Sequence, residues 1–326
     1  MKIAMFSTKK YDQTFFSSQN SEFDIRYIPA RFNSETALLA SECDAVCCFV
    51  NDRLDAEAIT QLSKLNIKLI ALRCAGFNNV DIETCKALNI AVCRVPEYSP
   101  YAVAEHAVAL ILDLNRNIHR AFNRVRENDY SLDGLMGFDL HGKTVGVIGA
   151  GKIGRAFIQI MQGFGCHVNV FDPYTKLELP KVRNVSMEEL LANSDILSLH
   201  CPLTTETYHL INDQTLALTK QGVMIINTSR GGLIDTRAVI RFLKKRHIGY
   251  LGLDVYEEEG NFFFEDLSDT LNEDDVFARL QTFPNVTITS HQGFFTYEAL
   301  YKIAEVTLSN IKNFQQGKLD LVHLVV

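Results

Sequence analysis

No apolar run in the 326 residues is long enough to cross a bilayer, and no tract is of low complexity. The first absence argues against a membrane partner, the second against a disordered or fibrous chain. Positive charge is also short: 32 Lys and Arg face 39 Asp and Glu, a net charge of -7, so no basic field invites a phosphate backbone and nucleic acid is not an expected partner. The opening residues MKIAMFSTKK lack the hydrophobic stretch and cleavage pattern of an export signal and read as a first strand. CxxC pairs are missing as well. Cys43, Cys47, Cys48, Cys74, Cys85, Cys93, Cys166 and Cys201 fall mostly inside apolar runs, which suits small buried hydrophobes in a reducing, cytoplasmic compartment better than a disulfide framework. A redox role for adjacent Cys47 and Cys48 is the competing reading.

What is present is the composition of an ordinary globular chain, 47% hydrophobic and 22% charged, at a length that favours two domains. Strand-like runs recur: IAMF, DAVCCFV, KLIAL, IAVCRV, TVGVIG, HVNVFD, ILSLH, GVMIIN, IGYLGLDV and VTITS. Helical segments such as AEAITQLSKL and IETCKALN separate them. Parallel strands need crossover connections, so this alternation predicts the α/β class, with parallel sheets covered by helices on both faces.

The series breaks near Pro100. From Tyr101 to Glu127, Val103, Ala107, Leu110, Leu114, Ile118, Phe122 and Val125 recur at threes and fours, predicting one long amphipathic helix whose stripe packs mainly in a core and can also carry a subunit interface. After His291, the residues Leu300, Ile303, Thr307, Ile311 and Phe314 predict a last helix before the apolar tail LVHLVV. If the first domain borrows that helix, it spans 1–100 and 296–326, with a second domain, 101–295, inserted into it.

The segment VGVIGAGKIG carries a nucleotide fingerprint between a strand and a helix. Gly149 permits the tight turn, Gly151 lets the backbone approach a pyrophosphate, and Gly154 lets helix and strand pack closely. The next strand, HVNVFD, ends on Asp172, 18 residues past Gly154, where a carboxylate accepts from ribose hydroxyls and repels a 2′-phosphate. The expected cofactor is therefore NAD(H) rather than NADP(H).

A fingerprint that waits until residue 149, after a whole α/β domain, resembles the D-isomer-specific 2-hydroxyacid dehydrogenases. The resemblance runs the length of the chain through ALRCAGFNNVD, VPEYSPYAVAEH, HCPLT, NTSRGGLID, GLDVYEEE and SHQGFFT. The segment FFFEDLSDTLNEDDVF resembles the fermentative D-lactate branch of bacteria. The family implies two doubly wound domains, a Rossmann NAD-binding domain inserted into a flavodoxin-like substrate domain, with the substrate between them. It also implies a homo-oligomer, dimer or tetramer, and reduction of pyruvate to D-lactate.

By the same resemblance Arg230, Glu259 and His291 are the catalytic trio, and it alone selects Glu259 over Glu257 and Glu258. A guanidinium fork suits the carboxylate and carbonyl of a 2-oxo acid, and an imidazolium beside a carboxylate suits proton donation. Ala75 and Gly76 match the loop that holds the substrate carboxylate, and Tyr98 a substrate-contacting tyrosine; Phe294 and Phe295 would complete an apolar wall. Lys152, Ile153, Cys201, Pro202, Thr207, Thr228, Ser229, Arg230 and Asp254 would line the cofactor groove. Three other readings stand beside this one: a family member acting on glyoxylate, hydroxypyruvate or a branched 2-oxo acid, a dinucleotide-dependent corepressor of the same fold, and a metal site in the acidic stretch Glu257 to Asp275.

Overall fold

The structure, a computed structural model, describes residues 1–260 and 262–326. It divides into two compact units, Met1–Ser99 with Phe295–Val326, and Pro100–Phe294.

In the first unit the order is β1 (Lys2–Met5), α1 (Lys10–Gln19), β2 (Asp24–Tyr27), β3 (Ala45–Cys48), α2 (Ala56–Lys64), β4 (Leu69–Leu72), α3 (Ile82–Ala87) and β5 (Ala91–Cys93). These strands form one parallel sheet, order β2-β1-β3-β4-β5, the flavodoxin-like winding. Its central strands are covered on both faces, which is why AVCC and LIAL are apolar throughout and fully buried. Asp55 and Asp81 start α2 and α3 by accepting the N–H groups of Ala58 and Thr84. Edge strand β2, DIRY, escapes the sequence reading because its charged, part-exposed residues form no apolar run.

The second unit contains α4 (Pro100–Arg116), α5 (Ile118–Arg126), β6 (Thr144–Ile148), α6 (Lys152–Gly163), β7 (His167–Phe171), β8 (Val182–Asn184), α7 (Met187–Asn193) and β9 (Ile196–Leu199). It continues with α8 (Asp213–Ala217), β10 (Val223–Asn227), α9 (Thr236–Lys244), β11 (Ile248–Leu253), α10 (Asp275–Gln281) and β12 (Val286–Ile288). All seven strands are parallel, ordered β12-β11-β10-β9-β6-β7-β8. The winding reverses between β6 and β9, and the crevice outside the carboxyl ends of such a switch point is where open sheets bind ligands. The short, polar β8 likewise leaves no apolar run in the sequence.

The single helix predicted over Tyr101–Glu127 is two helices. Asn117 takes a left-handed turn, φ 50°, and Asp113 accepts both the backbone N–H and Nδ1 of His119, at 3.0 and 2.9 Å, in place of a continued helical ladder. Val103, Ala107, Leu110 and Leu114 on α4 are buried, as core packing requires. On α5, Ile118, Phe122 and Val125 are instead 54%, 58% and 54% exposed.

The closing segment Phe295–Val326 belongs to the first unit. Ala304, Leu308 and Ile311 of α11 (Tyr297–Gln315) pack with Ile3, Met5, Ala45 and Leu69. The tail then pairs with β5: Val92 donates to the Val326 carbonyl at 2.9 Å and receives Val325 N–H at 2.7 Å, so an otherwise open sheet edge is covered.

Candidate active site

Strand β6 feeds straight into the glycine turn. Gly149 has φ +103°, and a β-carbon there would lie 2.6 Å from the His200 carbonyl; one on Gly154 would lie 2.1 Å from the Gly149 oxygen. Only glycine allows turn, strand and helix to meet this closely. Gly151 differs, because a β-carbon on it would meet nothing within 4 Å. As the N-cap of α6 it places no side chain between the start of the helix and an anion. The hydroxyl of Thr228, at the end of β10 two strands away, is buried without a partner, as expected of a group awaiting a ligand. Open space, helix N–H groups and an unspent hydroxyl all fit a dinucleotide.

Asp172 follows β7 and accepts three backbone N–H groups, from Ala150 at 2.7 Å and from Tyr174 and Thr175 at 2.9 Å each. Partial burial opposes its ionisation, but these bonds and Arg155 outweigh burial and hold the carboxyl below its usual range. The side chain is thus a fixed anion joined to the glycine turn. Across the turn, Thr207 spends its hydroxyl on the Pro202 carbonyl at 2.7 Å, and Ser229 on the Leu199 carbonyl at 2.8 Å. Burial pushes the half-buried Cys201 thiol up to about 11. The Cys47 thiol, fully buried, is pushed up to about 12, so the redox reading of Cys47 and Cys48 has no thiolate to work with.

Three adjacent strand ends carry the expected trio. Beyond β10, buried Asn227 accepts Ser229 N–H and donates to the Arg230 carbonyl, locking the turn. Arg230 is half-buried and donates to the Ser229 carbonyl at 2.6 Å; among the described residues no carboxylate pairs with it. Beyond β11, Glu259 accepts Tyr256 N–H at 3.0 Å. Beyond β12, His291 holds φ +54° with Nδ1 2.7 Å from the Glu259 Oε1. A carboxylate only accepts, so Nδ1 donates and Nε2 remains for chemistry. Phe264 and Phe294 flank the ring, at 5.7 and 6.4 Å between centroids.

Asp254, a residue expected along the cofactor groove, is buried, 1% exposed. It accepts Thr289 Oγ1 at 2.5 Å and the N–H groups of Gln292 and Gly293 at 2.8 Å, while His106 lies 3.3 Å away. Burial opposes its charge, yet His106 and Thr289 hold its carboxyl low. Its backbone carbonyl accepts His291 N–H at 2.7 Å, so Asp254 fixes the His291 loop. Sequence reasoning gave His106, at the end of VPEYSPYAVAEH, and Thr289, in VTITS, no role, because only folding gathers them around Asp254.

The first unit has its own candidate edge. The Ala75 carbonyl accepts from Arg94 at 2.8 Å, while among the described residues no acceptor meets the N–H groups of Ala75 or Gly76. Tyr98, beyond β5, is half-buried. Thr8 Oγ1, both amide atoms of Asn51, Arg73 Nη1 and Asn79 Oδ1 are buried without partners on loops beyond β1, β3 and β4. Phe295 packs edge-on against Tyr11 at 4.9 Å in that unit. Among the described residues no group of three His, Cys, Asp or Glu side chains is placed to hold a metal ion.

Residues 108–293 match the family model of the D-isomer specific 2-hydroxyacid dehydrogenase NAD binding domain. A 2-hydroxyacid dehydrogenase homolog of Zymomonas mobilis is 51% identical over 98% of both chains. The D-lactate dehydrogenase of Escherichia coli K12 is 49% identical, again over 98% of each. The apo-structure of the E. coli D-lactate dehydrogenase superposes over all of both chains with a TM-score of 0.89 at 45% identity. With a doubly wound sheet, a glycine turn built for a dinucleotide and a His–Glu pair at adjacent strand ends, the chain belongs to the D-isomer-specific 2-hydroxyacid dehydrogenases and is an NAD-dependent enzyme of that family.

Proposed function

We propose that this enzyme is a D-lactate dehydrogenase, reducing pyruvate to D-lactate with NADH and catalysing the reverse oxidation. The observation that carries the reading is the 2.7 Å His291–Glu259 pair, which among the described residues leaves Nε2 of His291 without a protein partner, on the same sheet as an Arg230 that no described carboxylate pairs with. Likeness to the E. coli D-lactate dehydrogenase supports the choice of substrate.

Bound NADH supplies a hydride to the carbonyl carbon. Arg230 grips the substrate carboxylate and polarises the carbonyl. His291 gives its Nε2 proton to the carbonyl oxygen and becomes neutral, so one hydride and one proton complete the alcohol. Glu259 fixes the ring and its tautomer through Nδ1. By the family resemblance, Ala75 and Gly76 N–H groups would bind the substrate carboxylate and Tyr98 would contact the substrate. Asp172 would accept from the ribose hydroxyls and disfavour NADP.

A copy of the same chain is the proposed partner, giving a dimer or tetramer. The exposed stripe Ile118, Phe122 and Val125 supports this, since burial in a second copy would remove a contiguous apolar face from water. No helix among the described residues is long and apolar enough to cross a membrane, and eight free cysteines suit the reducing cytoplasm.

Steady-state reduction of pyruvate, glyoxylate, hydroxypyruvate and a branched 2-oxo acid with NADH tests the substrate. The highest kcat/KM should belong to pyruvate, with D-lactate as product. A tenfold preference for another acid, or L-lactate as product, would overturn it.

A further inference from the structure

Glu259 ends a run of three glutamates, and both outer members are bonded to histidines. Glu259 meets His291 at 2.7 Å; Glu257 Oε1 meets His209 Nε2 at 2.6 Å. Both histidines sit in the left-handed region, φ 54° and 51°, which a side-chain-bearing residue keeps only when its surroundings hold it. The second pair lies off the expected trio and has no role in the mechanism above.

Its contacts run to the Arg230 turn and to the loop that carries Glu259. The second oxygen of Glu257 accepts Thr236 N–H at 2.9 Å, at the start of α9. His209 donates its backbone N–H to the Gly232 carbonyl at 2.8 Å, two residues beyond Arg230, and stacks on Tyr208 at 3.9 Å. A β-carbon on Gly231 would fall 2.1 Å from the Tyr256 carbonyl carbon and 2.4 Å from Glu257 N, so the Arg230 turn rests on the peptide between Tyr256 and Glu257. The N–H of Tyr256 in turn orients Glu259. The carboxylate therefore ties the loop after β9 and the start of α9 to the loop that carries Glu259, and the His209 backbone and the Gly231 contact join the Arg230 turn to them.

We propose that His209 and Glu257 are a positioning pair for the reaction, holding the Tyr256–Glu257 backbone so that Glu259 reaches His291 and the Arg230 turn stays seated. The proposal rests on the reading of Glu259 and His291 as the proton-donating pair. With side chains 30% and 21% exposed, the pair is of small worth to the fold. Misplacing a catalytic group by about 1 Å, in contrast, can cost on the order of 10²-fold in rate. The charged groups around His291 are Glu259 and, behind its loop, Asp254 with His106. Around His209 they are Glu257 and, along the same cavity of about 1330 Å³, Asp235, Arg237 and Glu258.

The test compares pH profiles of kcat for 2-oxo acid reduction in the full-length parent and in Glu259→Gln, His209→Leu, His209→Gln and Glu257→Gln. Reduction needs protonated His291, so weaker support from Glu259 moves the alkaline limb to lower pH. Glu259→Gln should do this directly. His209→Leu should lower kcat about tenfold and move the limb the same way, with NADH affinity and substrate KM changed less than threefold. His209→Gln keeps an N–H donor for Glu257 and should restore both limb and kcat. Glu257→Gln, close to isosteric, should move the limb as His209→Leu does, which keeps the test open if the leucine variant does not fold. An unmoved limb in His209→Leu and Glu257→Gln, or equal damage in both His209 variants, overturns the positioning role and leaves Glu259 intact. An unmoved limb in Glu259→Gln instead removes the proton-donating reading, and the positioning role with it.

Discussion

Arg230 is notable for what it does not touch. Among the described residues its side chain bonds the Ser229 carbonyl alone, which leaves most of the guanidinium N–H groups for an anion in a half-buried place. If they form two parallel bonds to a carboxylate, Arg230→Lys keeps the charge but loses a bond. A hydrogen bond to a charged group is worth about 1.5–3 kcal/mol, so kcat/KM for the 2-oxo acid should fall by roughly 10- to 100-fold. NADH affinity without substrate should change little, which a titration following NADH fluorescence will check. A lysine enzyme with near-parental kcat/KM would remove Arg230 as the clamp. At this scale the sequence read residue types well and their use less well. Asp254 sits where a strand end predicted a groove, yet its acceptors are filled from β12 and α4, partners that sequence spacing does not reveal.

Among the elements, α5 departs most from its sequence. The period of threes and fours continues through Asn117 without interruption, because hydrophobic spacing does not register a residue that tolerates a left-handed turn or an aspartate four residues earlier that caps the new helix. The break leaves Ile118, Phe122 and Val125 in water, around a cavity of about 590 Å³ rimmed by Arg116 and Arg126. Phe122→Glu places a charge in that face and, if the face is the proposed subunit contact, should give a smaller species than the parent by sedimentation velocity, with the far-UV spectrum unchanged. An unaltered sedimentation coefficient would place the subunit contact elsewhere. The alternating strands and crossover helices, by comparison, were plain in the sequence, because burial on both faces forces unbroken apolar runs; β2 and β8 were not, being short edges under no such pressure.

For the molecule as a whole, His200 links cofactor turn to stability. Although the residue is half-buried overall, its Nδ1 is sealed and unpartnered, Nε2 bonds Ser198 Oγ at 2.9 Å, and Phe157 packs on the ring at 4.8 Å. Burial pushes its pKa down to about 3. The unfolded chain takes up this proton near pH 6.5, while the native state refuses it until about pH 3. Stability from this group is therefore complete above pH 6.5 and is lost as pH falls toward 3. Between pH 7.5 and 5 the loss should be about 2 kcal/mol, because each tenfold rise in proton concentration below pH 6.5 favours the protonated, unfolded chain by about 1.4 kcal/mol. Urea unfolding followed by far-UV circular dichroism, suited to a chain without tryptophan, should show that dependence reduced by the same amount in His200→Asn. An unchanged pH dependence would mean that His200 is not the group responsible.

By itself the sequence determined the α/β class, the helix returned to the first unit by the last residues, the glycine turn with its acidic partner, and the resemblance that singled out Arg230, Glu259 and His291. These are legible because backbone geometry restricts them locally: a positive φ, a helix start or a strand buried on both faces admits few residue types. Only tertiary structure decided which glutamate meets which histidine. Glu257, Glu258 and Glu259 are the same side chain three times over, and what distinguishes them is the loop each one faces: His209 beyond β9 for the first, His291 beyond β12 for the last. Those contacts span 48 and 32 residues of sequence, and they exist because parallel strands wound in one order bring their carboxyl ends side by side.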